Sequence, residues 1–228
     1  MQTDRGISTP GADQPVRVWD APTRLFHWSV VILIFASWFS ADQGYMTLHL
    51  WSGLGLLALL LFRLGWGLMG TTTSRFSDFL HPPRKVLAYL RTQARGEKPL
   101  HAGHNPAGGV MVVVLLAALA AQVATGLFAN DGLKFAGPLT LFVSDDVSDR
   151  LTRIHGIIFN IILALIWLHV VAVGFYYFVK GENLVGPMLS GRKHRAHVPE
   201  GASIIFAHPA LALGLLLASA ALAAWILF

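Results

Sequence analysis

Five apolar stretches dominate the chain and leave few ways to fold it. Helices are expected over about 22–41, 45–69, 106–129, 151–179 and 208–228, each reaching or approaching the roughly 20 residues that cross the hydrocarbon of a bilayer. The first is preceded by Asp20-Ala-Pro22, an N-cap residue followed by a proline near the first turn. So few residues separate the first two that they must form an antiparallel hairpin. Only 13% of the 228 residues are charged, about half the share of a soluble domain, so charge cannot cover a water-exposed surface. The chain reads as an all-α integral membrane protein. It has no Cys, which excludes disulfides, thiolate metal sites, iron–sulfur clusters and covalently attached c-type haem. Any metal chemistry must use His, Met or carboxylate, and ten His in so apolar a chain require an explanation.

The polar connections give the expected orientation. Residues 1–16 read as a disordered cytoplasmic tail, lacking the short apolar core and cleavage site of a secretory signal. Residues 70–105 carry Arg75, Arg84, Lys85, Arg91, Arg95 and Lys98, with Val86, Leu87 and Leu90 at helical spacing after Pro82-Pro83. A basic amphipathic helix is expected there, over about 82–95. Residues 130–150 are mildly acidic, with Asp131, Asp145, Asp146 and Asp149 against Lys134 and Arg150. Counting Lys and Arg between spans gives thirteen on one side and three on the other, which places the N-terminus in the cytoplasm and the C-terminus outside. The net charge of +5 thus describes topology, and no nucleic-acid partner is implied. Trp19, Trp28 and Trp66 are expected in an inner aromatic belt, and Trp38, Trp51 and Trp225 in an outer one.

Ionisable residues within the spans mark function, because a bilayer penalises them. His27 lies near the cytoplasmic start of helix 1 and His49 near the outer start of helix 2. In helix 4, His155 is near the outer start and His169 follows 14 residues later. Fourteen residues rise about 21 Å and end about 40° short of whole turns, so both rings leave nearly one face at two depths. Depth matching then gives two cross-helix pairs, His27/His169 and His49/His155. Such pairs on facing helices suit six-coordinate b-type haem, with one imidazole on each side of the iron and apolar walls around the macrocycle. A lone interfacial His is more often a structural hydrogen-bonder, but four at matched depths favour ligation. A proton relay, or a non-haem metal transporter or assembly subunit, is the competing reading, and such sites usually bring intramembrane carboxylates that these spans lack.

Arg63 lies 14 residues after His49, at the level of His27/His169. A buried guanidinium needs an anion, and a haem propionate would supply one; Arg24 is a second candidate at that level. Snorkelling of Arg63 to headgroups is the alternative. Gly53 and Gly156 could admit a flat macrocycle or serve helix packing. His104, at the inner start of helix 3, is a candidate hydrogen-bonder to a propionate or a quinone. His81, His101, His194 and His197 read as solvated, and His208 as an interfacial or capping residue.

Six motifs carry a wider resemblance: Val18-Trp19-Asp20-Ala-Pro22-Thr-Arg24-Leu-Phe-His27-Trp28, Leu48-His49-Leu-Trp51-Ser-Gly53, Phe62-Arg63-Leu-Gly-Trp66-Gly67, Gly103-His104-Asn105-Pro106, Thr125-Gly126-Leu-Phe128 and Gly191-Arg192-Lys193. Together they resemble the bacterial cytochrome b561 family, nearest the Ni/Fe-hydrogenase-type cytochrome b subunits, over about residues 16–193. The resemblance implies a four-helix haem-binding transmembrane bundle, here residues 17–193. It also implies two b haems on His27, His49, His155 and His169, and electron exchange with quinone. Where members often carry an acid directly after the helix 4 His, this chain has Gly156. Residues 194–228, a linker and the extra fifth helix, lie beyond it.

The function expected is an electron-transfer subunit of the bacterial inner membrane, without substrate chemistry beyond haem and quinone. It would link a redox partner at the outer face, such as a c-type cytochrome or a dehydrogenase or hydrogenase subunit, to the quinone pool. The acidic 130–150 connection could steer a basic partner. A self-contained superoxide:quinone oxidoreductase is the alternative within the family, with Lys134, Arg150 and Arg153 drawing in the anion.

Overall fold

The computed structural model describes residues 14–132 and 135–227. Four helices are long and apolar enough to cross a membrane by length and composition: α1 (Ala21–Asp42), α2 (Met46–Met69), α5 (Pro106–Gly126) and α6 (Asp145–Phe178). Short pieces join them at the end rich in Lys and Arg, here the basic end: α3 (Phe76–Phe79), α4 (Pro83–Ala94), α7 (Val185–Ser190), and strands β1 (Val16–Arg17) and β2 (Arg192–Lys193). A shorter apolar helix, α8 (Pro209–Trp225), follows. At 17 residues it extends about 25 Å, a little under the hydrocarbon thickness. Of the expected tail, residues 1–13 lie outside the described residues, and Val16 already belongs to β1.

Local chemistry starts and stops these helices. Asp20 caps α1, its carboxylate accepting from the Thr23 amide at 2.7 Å, with Pro22 in the first turn. Asn105 caps α5 in the same way through the Gly108 amide at 2.7 Å, ahead of Pro106. Gly44, at φ 74°, turns the chain between α1 and α2. The His208 ring accepts from the Ala210 amide at 3.2 Å and opens α8. Helix α6 differs from its expected span, beginning at Asp145 instead of near Leu151. Ser144 stands at its N-cap, and Asp145 and Asp146 in the first turn complement the helix dipole. Residues 145–150, read as part of an acidic loop, are therefore the first turns of a 34-residue helix.

Helix α1 packs on α2, α5 on α6, and α2 on both α5 and α8. The core centres on Val30, Leu56, Leu60, Leu119, Val123 and Ile162. Ile162 stands seven residues from both His155 and His169, so this apolar layer separates the two levels of the bundle. Beneath it, at the basic end, Trp66 is wholly buried and its indole donates to Asp20 at 3.1 Å and Thr23 at 3.2 Å. Trp19 is buried as well. The aromatic-belt expectation is corrected for these two, which are interior residues: Trp66 ties α2 to the start of α1, and Trp19 packs with Val18 and Val198 and against His104.

Strand β1 pairs antiparallel with β2, Val16 opposite Lys193 and Arg17 opposite Arg192. The Val18 and Trp19 amides both donate to the Gly191 carbonyl. Gly191 is at φ 79°, and an added Cβ would lie 2.8 Å from the Trp19 oxygen, which accounts for glycine there. On α4, Tyr89 turns inward and shares a 2.6 Å hydrogen bond with the Tyr176 hydroxyl, while Arg84, Lys85 and Arg91 face out.

Candidate functional site

Helices α2 and α6 each carry a histidine to the far end of the bundle, away from the basic end. The His49 and His155 rings lie there with centroids 6.1 Å apart. The His49 Nδ1–H donates to the Ser37 carbonyl at 2.8 Å, and the His155 Nδ1–H to the Gln122 carbonyl at 2.9 Å. Both bonds leave Nε2 as the nitrogen that could meet a metal, the arrangement seen in metal-ligating histidines. The Gln122 amide stands 3.1 Å from His155 Nε2, where a metal would displace it. A cavity of about 510 Å³ adjoins both rings, within the range of small-molecule sites. Gly53, Gly126, Gly156, Leu119 and Ile162 help line it. A methyl group at Gly53 or Gly156 would meet open space, whereas one at Gly126 would lie 2.8 Å from the His155 ring.

The second pair lies toward the basic end, where the His27 and His169 centroids are 6.5 Å apart. Neither ring has a hydrogen-bond partner among the described residues, and the His27 Nδ1 is buried. Arg63 is 3% exposed, forms no ion pair among the described residues, and leaves one Nη buried without a partner. Its guanidinium carbon is 4.9 Å from the Phe76 ring centroid and 5.8 Å from that of Phe79. Gly67 admits the Phe76 ring, since a Cβ there would lie 2.1 Å from it. Asp20, just outside the span, lies within electrostatic reach of Arg63. That carboxylate is already engaged by Thr23 and Trp66.

His104 sits between the Trp19 and Phe79 rings, at 4.7 and 4.8 Å, with its Nδ1 buried and unpartnered. Desolvation first, then the nearby Arg63 charge, pushes its imidazole down to about 3. Its proton affinity is thus lower folded than unfolded, so the neutral form holds near pH 7 and stability falls as pH drops from about 6.5 toward 3. The slope contributed approaches about 1.4 kcal/mol per pH unit. Thermal melts of the wild type and His104→Phe between pH 7 and 5 check this: the variant should lose that part of the acid dependence, and parallel curves would contradict it.

Arg24 is partly committed elsewhere, because it donates to the Leu189 carbonyl, while its Nε is buried without a partner. His27, Arg24, Arg63 and His104 thus each leave a buried nitrogen without an acceptor. Of the residues read as solvated, His101 packs edge-on to Tyr89 at 5.4 Å, and desolvation lowers its pKa. Arg150 and Arg153 are exposed on the first turns of α6, and Lys134 lies outside the described residues.

The donor set has a definite coordination preference. Among the described residues no three His, Asp or Glu converge on one point, so each pair offers two nitrogens, too few for tetrahedral zinc. Two ligands suffice where a macrocycle fills the other four positions of an iron. With metal–imidazole bonds of about 2 Å, rings on opposite sides of one iron have centroids about 6 Å apart, close to both observed separations. The residues present therefore fit haem b, with a cavity at one pair and unsatisfied donors for carboxylates at the other.

The sequence alone singles out His27, His49, His155, His169, Arg24, Arg63 and His104 but not what holds them. The Ser37 and Gln122 carbonyls are backbone groups that no residue type announces, and Gly126 entered only as part of a motif. Comparison with curated proteins found no match. The family model described as prokaryotic cytochrome b561 matches residues 18–191, a span that opens beside β1, takes in all four long helices and both histidine pairs, and ends at the glycine beside β2. The chain belongs to the prokaryotic cytochrome b561 family.

Proposed function

We propose that this membrane cytochrome holds two b haems, one on His49/His155 and one on His27/His169. It would carry electrons between a redox partner at the outer face and the quinone pool. The observation that supports this most directly is the presence of two histidine pairs at haem-compatible separation, held by one helix at positions about 21 Å apart. Haem b supplies a one-electron carrier when bound.

The chain's own residues perform the rest. The Ser37 and Gln122 carbonyls fix the ring orientation of the outer ligands. Arg63, Arg24 and His104 offer the inner haem's propionates the donors they otherwise leave unsatisfied. The Val30, Leu56, Leu60, Leu119, Val123 and Ile162 layer excludes water between the two levels. In this reading the thirteen basic residues keep the α3–α4 and α7 end in the cytoplasm of a bacterial inner membrane. The exposed Asp145, Asp146 and Asp149 then face a cationic partner outside, a c-type cytochrome or a dehydrogenase or hydrogenase subunit.

Haem quantitation on purified protein tests the reading. Two haems per chain are expected, with His49→Ala or His155→Ala losing one and His27→Ala or His169→Ala losing the other. Absence of a reversible b-type absorption change on dithionite reduction would refute it, and so would any other pairing of losses.

A further inference from the structure

Helix α4 turns one face to the bundle and leaves two leucines and a row of cations on the other side. We propose that this outer face is a docking surface for anionic phospholipid, with headgroup phosphates against Arg84, Arg91 and Arg95 and acyl chains against Leu87 and Leu90. The surface is independent of what the histidines hold.

Hydrogen bonds fix the depth of α4. The Tyr89 hydroxyl meets that of Tyr176 at 2.6 Å, in the last turn of α6, where Phe175, Tyr177 and Phe178 are exposed in the manner of an interfacial aromatic belt. Asn105, the cap of α5, donates to the same Tyr176 hydroxyl at 3.1 Å. Lys180 Nζ donates to the Gln93 carbonyl at 3.2 Å, and Lys98 Nζ to the Lys180 carbonyl at 2.8 Å. Ahead of α4, the Phe79 carbonyl lies against Gly109, near the start of α5. Both ends of α4 are thus held where α5 begins and α6 ends, so the helix lies across the boundary of the hydrocarbon.

Rotation about the helix axis then sorts the side chains. Tyr89 is buried, and Val86 and Gln93 share its face. At about 100° per residue, Leu87, Leu90 and Ala94 fall within about 60° of one another, and Arg84, Arg91 and Arg95 within about 40° on the adjoining strip. All six are exposed. None of the three guanidinium groups makes a hydrogen bond or an ion pair among the described residues, and α4 contains no acidic residue. The chain therefore supplies these cations with no anion. A basic strip flanking an apolar one suits a helix lying at an anionic bilayer surface, where leucines and arginine stems reach acyl chains and the charges meet phosphate. An acidic protein segment would have to displace lipid already present at this depth.

The chain has no Cys, so Ala94→Cys offers a single site for an environment-sensitive dye on the proposed face. Leu222→Cys, on the exposed side of α8 near its far end, offers a lipid-facing control away from the basic end. Haem-loaded protein carrying either label is placed in nanodiscs of phosphatidylcholine and phosphatidylglycerol in equal parts, with one lipid or the other brominated as the quencher. Quenching at position 94 should favour brominated phosphatidylglycerol by roughly fivefold or more, the preference that a single basic residue near a charged surface represents, and position 222 should not discriminate. Replacing Arg84, Arg91 and Arg95 together by Gln should remove the preference, and concentrated salt should weaken it with the arginines in place. Equal quenching by the two lipids at position 94 would overturn the proposal, as would a preference that survives the triple substitution. Absence of quenching by either lipid there would also overturn it, because α4 would then stand clear of the bilayer or be covered by protein. Where the triple variant does not fold, the salt series decides, and a preference unchanged by salt counts against the arginines.

Discussion

Gly126→Val is expected to empty the His49/His155 site and leave the His27/His169 site filled. An added Cβ at position 126 would lie 2.8 Å from Cε1 and 3.2 Å from Nδ1 of His155. The ring cannot swing away cheaply, because its Nδ1–H is bonded to the Gln122 carbonyl one turn earlier on the same helix. Relief therefore breaks the bond that sets the tautomer and aim of the ligand. Loss of such an outer partner costs about 10- to 100-fold in metal affinity, and the branched valine adds a steric block. The haem-to-protein ratio should fall from two toward one, with a b-type spectrum remaining. Gly174→Ala, on the same helix as His155 and with nothing within 4 Å of the added atom, is the control that should retain both. An unchanged ratio in Gly126→Val would show that the ligand is held by something other than this glycine gap.

Gly109→Ala is expected to destabilise the basic end. Here the obstacle is backbone: a Cβ would lie 2.5 Å from the Phe79 carbonyl oxygen and 3.1 Å from Cδ2 of its ring. Rotating a side chain cannot relieve the first contact, so α5 must separate from the α3 segment. Phe79 is wholly buried, and its ring flanks both His104 and Arg63. Overpacking of this kind costs about 1–3 kcal/mol. For a chain of this size that corresponds to roughly 2–4 °C in melting midpoint for each kcal/mol. The melt of haem-loaded protein in detergent measures it, and a midpoint equal to wild type would mean that the α3–α5 contact is looser than it stands.

Much of this arrangement is legible in residue spacing. Fourteen residues between His155 and His169 already place two rings on one face of a helix at two depths, whatever its partners are. Matching depths with His27 and His49 then leaves α1 and α2 as the helices that face them. Hydrogen bonding was less accessible. Whether a carbonyl at Ser37 or Gln122 meets an imidazole depends on how far each helix is rotated about its axis, and every residue carries a carbonyl. Trp66 was misjudged for a related reason. Tryptophan near a helix end usually sits in the interface, but here Asp20 and Thr23 supply acceptors inside the bundle, and an indole with a buried partner can leave the interface. The start of α6 was set too late because Asp145, Asp146 and Asp149 were weighed as loop charges. Two of them sit in the first turn, where a carboxylate stabilises a helix.

The pairing of Val16–Arg17 with Arg192–Lys193 has a consequence for how the protein is made. It joins a segment ahead of α1 to one that follows α7, closing a loop that contains all four long helices. Such a contact is strongly non-local, and its closure entropy has to be met late. During synthesis α1 and α2 enter the bilayer with His27 and His49 in place but with no facing helix, since α6 has yet to appear. Only once α6 and then residues 192–193 have been made can the bundle close on itself, so the clasp forms after the helices it encloses.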